Sequence, residues 1–427
     1  MKTYTQKDLI TQIQRGDFDR DFLRLVYPDT NKARERYIKA IESFGKTFGY
    51  DREIFLASAP GRTELSGNHT DHQGGCVLAA SVNLDVIAVV GLRQDTLVTI
   101  NSEGYKPFTL DISDTEKKDC EKGTSAAIVR GVAKKIYENP LCNSLKGFDA
   151  YTTSNVPKGS GLSSSAAFEV LVGKILSYSS CNNKIDDATL AEYGHFAEYN
   201  YFDKPCGKMD QYACSMGGIV FIDFKDDTPV YKRIDTSFEK LGYTLFITDA
   251  GGSHAHLTPE YAAIPEEMRE VARLFKKEKL SEITRDEFFS ALPSLKNKVS
   301  DRALLRALHY FNEVDRVKCQ VAALEKSDIS TYLALMQKSG DSSLLSLQNI
   351  YPANDTAERS LSLALTISLD EGAVSRVHGG GFAGTIQALV KSDKSADYAL
   401  KMDSIFGQDH AHAVSVRPVG GYVLGEE

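Results

Sequence analysis

Apolar positions near the start of the chain recur three and four apart: Leu9, Ile10 and Ile13, then Tyr37, Ile38, Ile41 and Phe44. That spacing puts them on single faces of helices within residues 1–50, packed against a larger body. From Ile54 the pattern changes. Residues 53–62 read as a strand entering a turn, and residues 76–80 and 86–90 read as two further strands. Residues 148–156, rich in Tyr and Thr, read as an extended segment running into a glycine–serine loop. Beyond that loop Ala167, Val170, Leu171 and Leu176 repeat at helical spacing. Residues 219–224, 243–248 and 385–390 read as strands, and residues 258–372 as mainly helical. A polar turn, Lys225-Asp226-Asp227-Thr228-Pro229, suggests a boundary between an N-terminal domain of residues 1–230 and a C-terminal domain of residues 231–427.

Composition sets limits on this picture. The 427 residues are 42% apolar and 25% charged, ordinary proportions for a chain that buries a core. A net charge of -8 argues against a general nucleic-acid binder. It leaves ATP open, because backbone amides and a few local cations suffice for a triphosphate. The chain has no apolar stretch long enough to span a membrane, so no membrane partner is expected. The N-terminus leads into polar helical sequence without an apolar leader, which suits a cytoplasmic protein. Seven scattered cysteines, with no Cys-x-x-Cys pair, read as free thiols in a reducing compartment and not as a zinc site.

Candidate chemistry concentrates in Pro157-Lys158-Gly159-Ser160-Gly161-Leu162-Ser163-Ser164-Ser165-Ala166-Ala167. Glycines let the backbone approach an anion, and a following helix N-terminus aims unpaired N–H groups and a partial positive charge at it. Serine hydroxyls add donors and can ligate Mg2+. A flexible linker of similar composition would not run directly into an alanine-rich amphipathic helix. Other nucleotide motifs fit worse: the chain lacks Gly-x-x-x-x-Gly-Lys-Ser/Thr, the third glycine of a dinucleotide fingerprint, and the protein-kinase motifs.

Set beside this loop, three other stretches give the chain a family resemblance. They are Ala59-Pro60-Gly61-Arg62 continuing to Gly67-Asn68-His69-Thr70-Asp71-His72, then Pro205-Cys206-Gly207-Lys208-Met209-Asp210-Gln211, and Gly379-Gly380-Gly381-Phe382-Ala383-Gly384. In this order the chain resembles the GHMP kinases, and among them the galactokinases. The resemblance implies an α+β, two-domain fold, with a ribosomal S5-like N-terminal domain and a ferredoxin-like C-terminal domain. It implies an ATP- and Mg2+-dependent kinase of the C1 hydroxyl of galactose, acting as a monomer or weak homodimer. Asp210 and Arg62 would be catalytic. Residues 157 and 159–166 would cradle the nucleotide, and Ser165 and Glu198 would hold Mg2+. Asn68, His69, Asp71, Gly207 and Tyr261 would face the sugar.

The match departs from the family at several points. Asn68 stands where galactokinases typically carry Glu, and Thr63-Glu64 where they typically carry Val-Asn. Loss of a carboxylate at position 68 would let a C6 carboxylate bind, so galacturonate stands as an alternative to galactose, with galactose the leading reading. Ser375-Arg376-Val377-His378 replaces an Ala-Arg-Met-Thr pattern, and the chain has no tryptophan to contact adenine. A non-catalytic sugar sensor on the same fold would carry a damaged serine–alanine stretch; here residues 163–167 are intact. A kinase of mevalonate or homoserine would not be expected to carry the His69-Thr70-Asp71 element.

Overall fold

Alternation along one long strand decides what packs on each side of it. The computed structural model describes the chain except residues 158, 253–256, 354, 356, 426 and 427, so Lys158 of the glycine–serine run lies outside the described residues. Strand β1 (Glu53–Ser66) is buried along nearly its whole length. It turns Ile54 and Leu56 to one side and Phe55, Ala57 and Ala59 to the other. The first side is covered by α1 (Gln6–Arg15) and α2 (Thr30–Phe48), whose Leu9, Ile13, Tyr37, Ile41 and Phe44 share a cluster with Ile54 and Leu56. Thr5 caps α1 by accepting from the Asp8 N–H, and Gly16 closes it in the left-handed conformation. Asp29 caps α2 by accepting from the N–H groups of Asn31 and Lys32.

Strand β2 (Cys76–Leu92) pairs antiparallel with β1, setting Phe55 opposite Val90 and Thr63 opposite Ala80. The two strands expected at residues 76–80 and 86–90 are this single strand. Its polar middle stays in the sheet because distant groups satisfy it: Asn83 Oδ1 accepts from the Ser415 N–H at 2.9 Å. β3 (Leu97–Ser102) and β4 (Phe108–Asp111) follow as a hairpin, and β5 (Phe148–Ser154) pairs antiparallel with β2 and parallel with β3. The N-terminal half of β2 pairs instead with β6 (Ile219–Asp223), which pairs with β7 (Val230–Ile234). Helices α3 (Ser125–Glu138) and α4 (Ser164–Ser180) fill the second side of the sheet, α4 almost wholly buried through Val170, Leu171, Val172 and Ile175.

A second sheet runs β9–β10–β8–β11, all antiparallel, from β8 (Tyr243–Asp249), β9 (Val374–Val377), β10 (Thr385–Lys391) and β11 (Ala411–Val414). Between β8 and β9 the chain is helical, as its pattern suggests, with a 25-residue helix at Asp301–Glu325. The chain then returns to the first sheet, where β12 (Tyr422–Val423) pairs with β1. All seven cysteines are unbonded. Among the described residues no helix is long and apolar enough to cross a membrane.

One buried charge ties these parts together. The Asp85 carboxylate is completely buried and accepts hydrogen bonds from Tyr27, Ser58, Arg36 and Arg417. The N-terminal helices, the sheet and the returning tail therefore meet on one anion. Burial alone would raise its pKa, but Arg36 and Arg417 hold it below the usual carboxylate range. A lowered folded-state pKa gives stability that is present above the unfolded value and lost as pH falls through the folded one. Asp85→Asn should cost about 3–5 kcal/mol, because it leaves buried guanidinium charge uncompensated. A urea titration should show a lower midpoint with an unchanged slope, and the gap to the natural protein should close in acid; an equal midpoint at neutral pH would refute the assignment.

Candidate functional site

β5 delivers the chain into the glycine–serine loop, and α4 begins directly after it. Gly159, Gly161 and Ser163 have φ of 74°, 70° and 53°, so the loop coils through left-handed conformations that the two glycines adopt without strain. Buried Ser160 donates to the Pro157 carbonyl at 2.8 Å, tightening the turn. Leu162 is buried, and its carbonyl accepts from the Arg62 N–H at 3.0 Å. Gly61 makes this docking possible, since a Cβ there would lie 2.7 Å from the Leu162 carbonyl oxygen. No side chain caps α4, so its first-turn N–H groups at Ser164, Ser165 and Ala166 point out of the helix end.

Arg62, on β1, reaches across to this loop and to the helix that follows the Pro205–Gln211 stretch. Its Nε and Nη2 lie 2.8 and 2.7 Å from Asp210 Oδ1, and its Nη1 donates to the Gly161 carbonyl. Asp210 sits in the first turn of α5 (Met209–Met216) and also accepts from Ser163 Oγ. Burial opposes its ionisation, but the Arg62 charge and the Ser163 hydrogen bond hold it below the usual range. Three sequence-distant segments thus converge on one ionised carboxylate.

Asp71 lies on the turn after β1 and faces the same stretch from the other side. A Cβ on Gly207 would come within 1.8 Å of Asp71 Oδ2, so only glycine fits there. Asp71 Oδ1 accepts from the His72 N–H at 2.8 Å. Burial, with further help from the charges of Asp210 and Glu64, pushes the Asp71 carboxyl up to about 6. His69 bonds the Gly380 carbonyl at 3.0 Å, and Tyr261 donates to the Gly381 carbonyl at 2.9 Å. These contacts fasten the third glycine motif over the His69–Asp71 turn.

Asn68 is 1% exposed, and the protein occupies both ends of its amide. Nδ2 donates to Glu64 Oε1 at 3.0 Å and to the Gly379 carbonyl at 2.7 Å, while Oδ1 accepts from Asn349 at 2.8 Å. Glu64 in turn pairs with fully buried Arg376 at 2.7 Å. The residues at positions 64 and 68 that depart from the family pattern are thus hydrogen-bonded to each other. His378 departs from it too, and is also built in: its ring bonds Thr63 Oγ1 at 3.0 Å and Thr385 Oγ1 at 3.1 Å. Burial, with Arg62 and Arg376 nearby, pushes its pKa well down, so it bonds as neutral imidazole.

Ser164, Ser165 and Glu198 line a cavity of about 1040 Å³ together with Ser102, Tyr105, Lys106 and Phe108. Ser165 Oγ is 3.5 Å from Glu198 Oε1, which also accepts from Lys204 at 2.6 Å. Gln211 Nε2 bridges Glu198 Oε2 at 2.8 Å and Glu169 Oε2 at 2.9 Å. Glu169 is completely buried; desolvation, then the charge of Glu198, pushes its carboxyl well up. Sequence reasoning passed over Glu169 and Lys204, and noted Glu64 only as a departure from the family pattern. The available signal for Glu169 was its place one helical turn after Ser165, on the same face of α4. Among the described residues no cluster of three His, Cys, Asp or Glu could hold a metal ion. The Ser165 hydroxyl and Glu198 carboxylate beside the serine loop are nonetheless hard oxygen donors of the kind Mg2+ takes together with phosphate and water.

Residues 127–218 match the GHMP kinases N terminal domain, and residues 42–92 match the galactokinase galactose-binding signature. The chain is 31% identical to a human galactokinase over 380 residues, 86% of this chain and 91% of that one. It is 30% identical to a galactokinase of Glaesserella parasuis, over 82% of this chain and 88% of that one. The structure of Lactococcus lactis galactokinase complexed with galactose superposes with a TM-score of 0.76 at 25% identity, covering 89% of this chain and 98% of that one. A mevalonate kinase structure, 17% identical with a TM-score of 0.59, shares the two-domain fold. Identity of this extent across nearly the whole of both chains leaves one conclusion: the chain belongs to the galactokinases of the GHMP kinase family.

Proposed function

We propose that the protein transfers the γ-phosphoryl group of ATP to the C1 hydroxyl of galactose, giving galactose 1-phosphate and ADP. The observation that carries this reading is the position of Asp210, gripped by Arg62 and Ser163 between the phosphate loop and the Asp71–Gly207 contact. ATP would lie in the large cavity, its phosphates by Ser164 and Ser165 and its base towards Tyr105 and Phe108. The sugar would lie by Asp71, which can accept from two neighbouring hydroxyls.

In the transfer, the O–H bond of the C1 hydroxyl breaks and its proton passes to Asp210. The hydroxyl oxygen bonds the γ-phosphorus, and the bond from that phosphorus to the β–γ bridging oxygen breaks, its electron pair leaving with ADP. A carboxylate held below its usual pKa is a weak base. Asp210 therefore acts first by accepting the hydroxyl's hydrogen bond and aiming its lone pair, and takes the proton as the new bond makes it acidic. Arg62 offsets charge on the moving phosphoryl group, which matters because such transfers depend on positioning and charge stabilisation. Ser165 and Glu198 would hold Mg2+, which neutralises phosphate charge when bound.

The Glu64–Asn68 pair favours a neutral sugar. The carboxylate absent at position 68 is supplied by Glu64, 3.0 Å from the Asn68 amide, and that amide has its donors engaged. A C6 carboxylate would meet the Asp71 carboxylate, a Glu64 carboxylate whose charge Arg376 offsets, and no free amide from Asn68. Asn68 then acts as a joint that sets the pocket wall.

Three outcomes are expected. Asp210→Asn should lower kcat by about 10²–10⁴-fold while ADP binding by calorimetry is retained; near-normal turnover would remove Asp210 from its role. With sugar varied, kcat/KM should fall about tenfold per pH unit below about 6, because Asp71 loses an acceptor when protonated. Asp71→Asn should erase that limb, and a limb that survives would belong to another group. The natural protein should prefer galactose to galacturonate, with Glu64→Gln narrowing the ratio; a natural preference for galacturonate would overturn the choice of sugar.

A further inference from the structure

Lys204 follows the turn that carries Glu198 and lines the same cavity. Its ammonium donates to Glu198 Oε1 at 2.6 Å, the same oxygen that Ser165 Oγ approaches at 3.5 Å. The other oxygen, Oε2, accepts from fully buried Gln211. The two partners differ in freedom. Gln211 is locked between two carboxylates, whereas the Lys204 side chain is 54% exposed on a flexible four-carbon stem.

The Glu198 oxygen nearest Ser165 Oγ, the one it would offer to a divalent cation, is thus the oxygen Lys204 holds. Two cations on one carboxylate oxygen repel strongly at such distances, so one excludes the other. The surrounding charge makes the exchange feasible. Lys204 is the cation on Glu198 as Arg62 is on Asp210, and of the two only Lys204 is exposed enough to leave, so an arriving cation can take over its charge. An ammonium released from Glu198 is within reach of whatever anion the serine loop binds.

This inference rests on the reading of the cavity as a nucleotide and cation site. We propose that Lys204 is a positioning residue that competes with the divalent cation for Glu198 and moves to a nucleotide phosphate when that cation binds. It keeps the Glu198 carboxylate aimed at Ser165, and it couples cation entry to a new phosphate contact.

The test uses Mn2+ as the probe on the full chain, with Lys204→Met and Lys204→Arg. Mn2+ binding followed by electron paramagnetic resonance, with no nucleotide added, should tighten about tenfold in Lys204→Met, the size that neighbours of metal ligands commonly exert. Calorimetry should show Mn-ADP binding weakened a few-fold in the same variant, while Lys204→Arg stays close to the natural protein in both. A general loss of structure would weaken both affinities and could not produce the opposite signs. Unchanged or weaker Mn2+ binding in Lys204→Met would overturn the competition, and unchanged Mn-ADP binding would overturn the move to phosphate. A natural protein that bound neither Mn2+ nor ADP would instead sink the nucleotide reading on which the proposal stands.

Discussion

The guanidinium of Arg62 is the constraint on which the site depends. It grips Asp210 through two nitrogens and the Gly161 carbonyl through a third, and so fixes the distance between the carboxylate and the phosphate loop. Its planar fork suits this task better than a lysine's point charge would, because the angles as well as the charge are specified. A guanidinium buried to this depth needs a paired anion, and Asp210 needs a paired cation. Each therefore keeps the other charged, and the geometry around Asp210 is set by the protein's own groups.

A second network holds the two halves of the chain together beside the His69–Asp71 turn. Glu64, Asn68, Asn349 and Arg376 form a continuous set of buried hydrogen bonds, with His378 alongside reaching Thr63. Arg376 Nε and Nη1 and Asn349 Oδ1 have no hydrogen-bond partner among the described residues, so the groups this network satisfies are those at positions 64 and 68. That argues for reading the residues at positions 64 and 68 as one unit. Taken singly, Asn68 looks like a lost charge; taken with Glu64, the charge has moved four positions along the strand and turn.

The order of motifs made the family legible in the sequence, and the glycine–serine loop before its helix was legible too, because loop, glycines and amphipathic helix are local and contiguous. The strand pattern was legible where one face is uniformly apolar, as in β1. It failed in β2, read as two strands because Asn83 and Asp85 interrupt the apolar run. Their partners, Ser415, Arg36 and Arg417, lie far away in the chain, and no local signal marks them. The Glu64–Arg376 pair hides for the same reason. Lys204 and Glu169 were invisible for another: a lone charged residue on a turn or helix is usually a solvated face, and only the cavity distinguishes these two.

The returning tail has a consequence for how the molecule is made. The edge of β1 that β12 covers, and the anion that Arg417 helps to neutralise, belong to the first sheet, yet both partners come after the second sheet in the chain. While the ribosome works through the helical middle of the chain, that sheet waits with an uncovered edge and a partly neutralised buried charge. Its completion therefore waits for the segment that follows the second sheet, and the two sheets finish folding together although the motifs of the first are translated earlier.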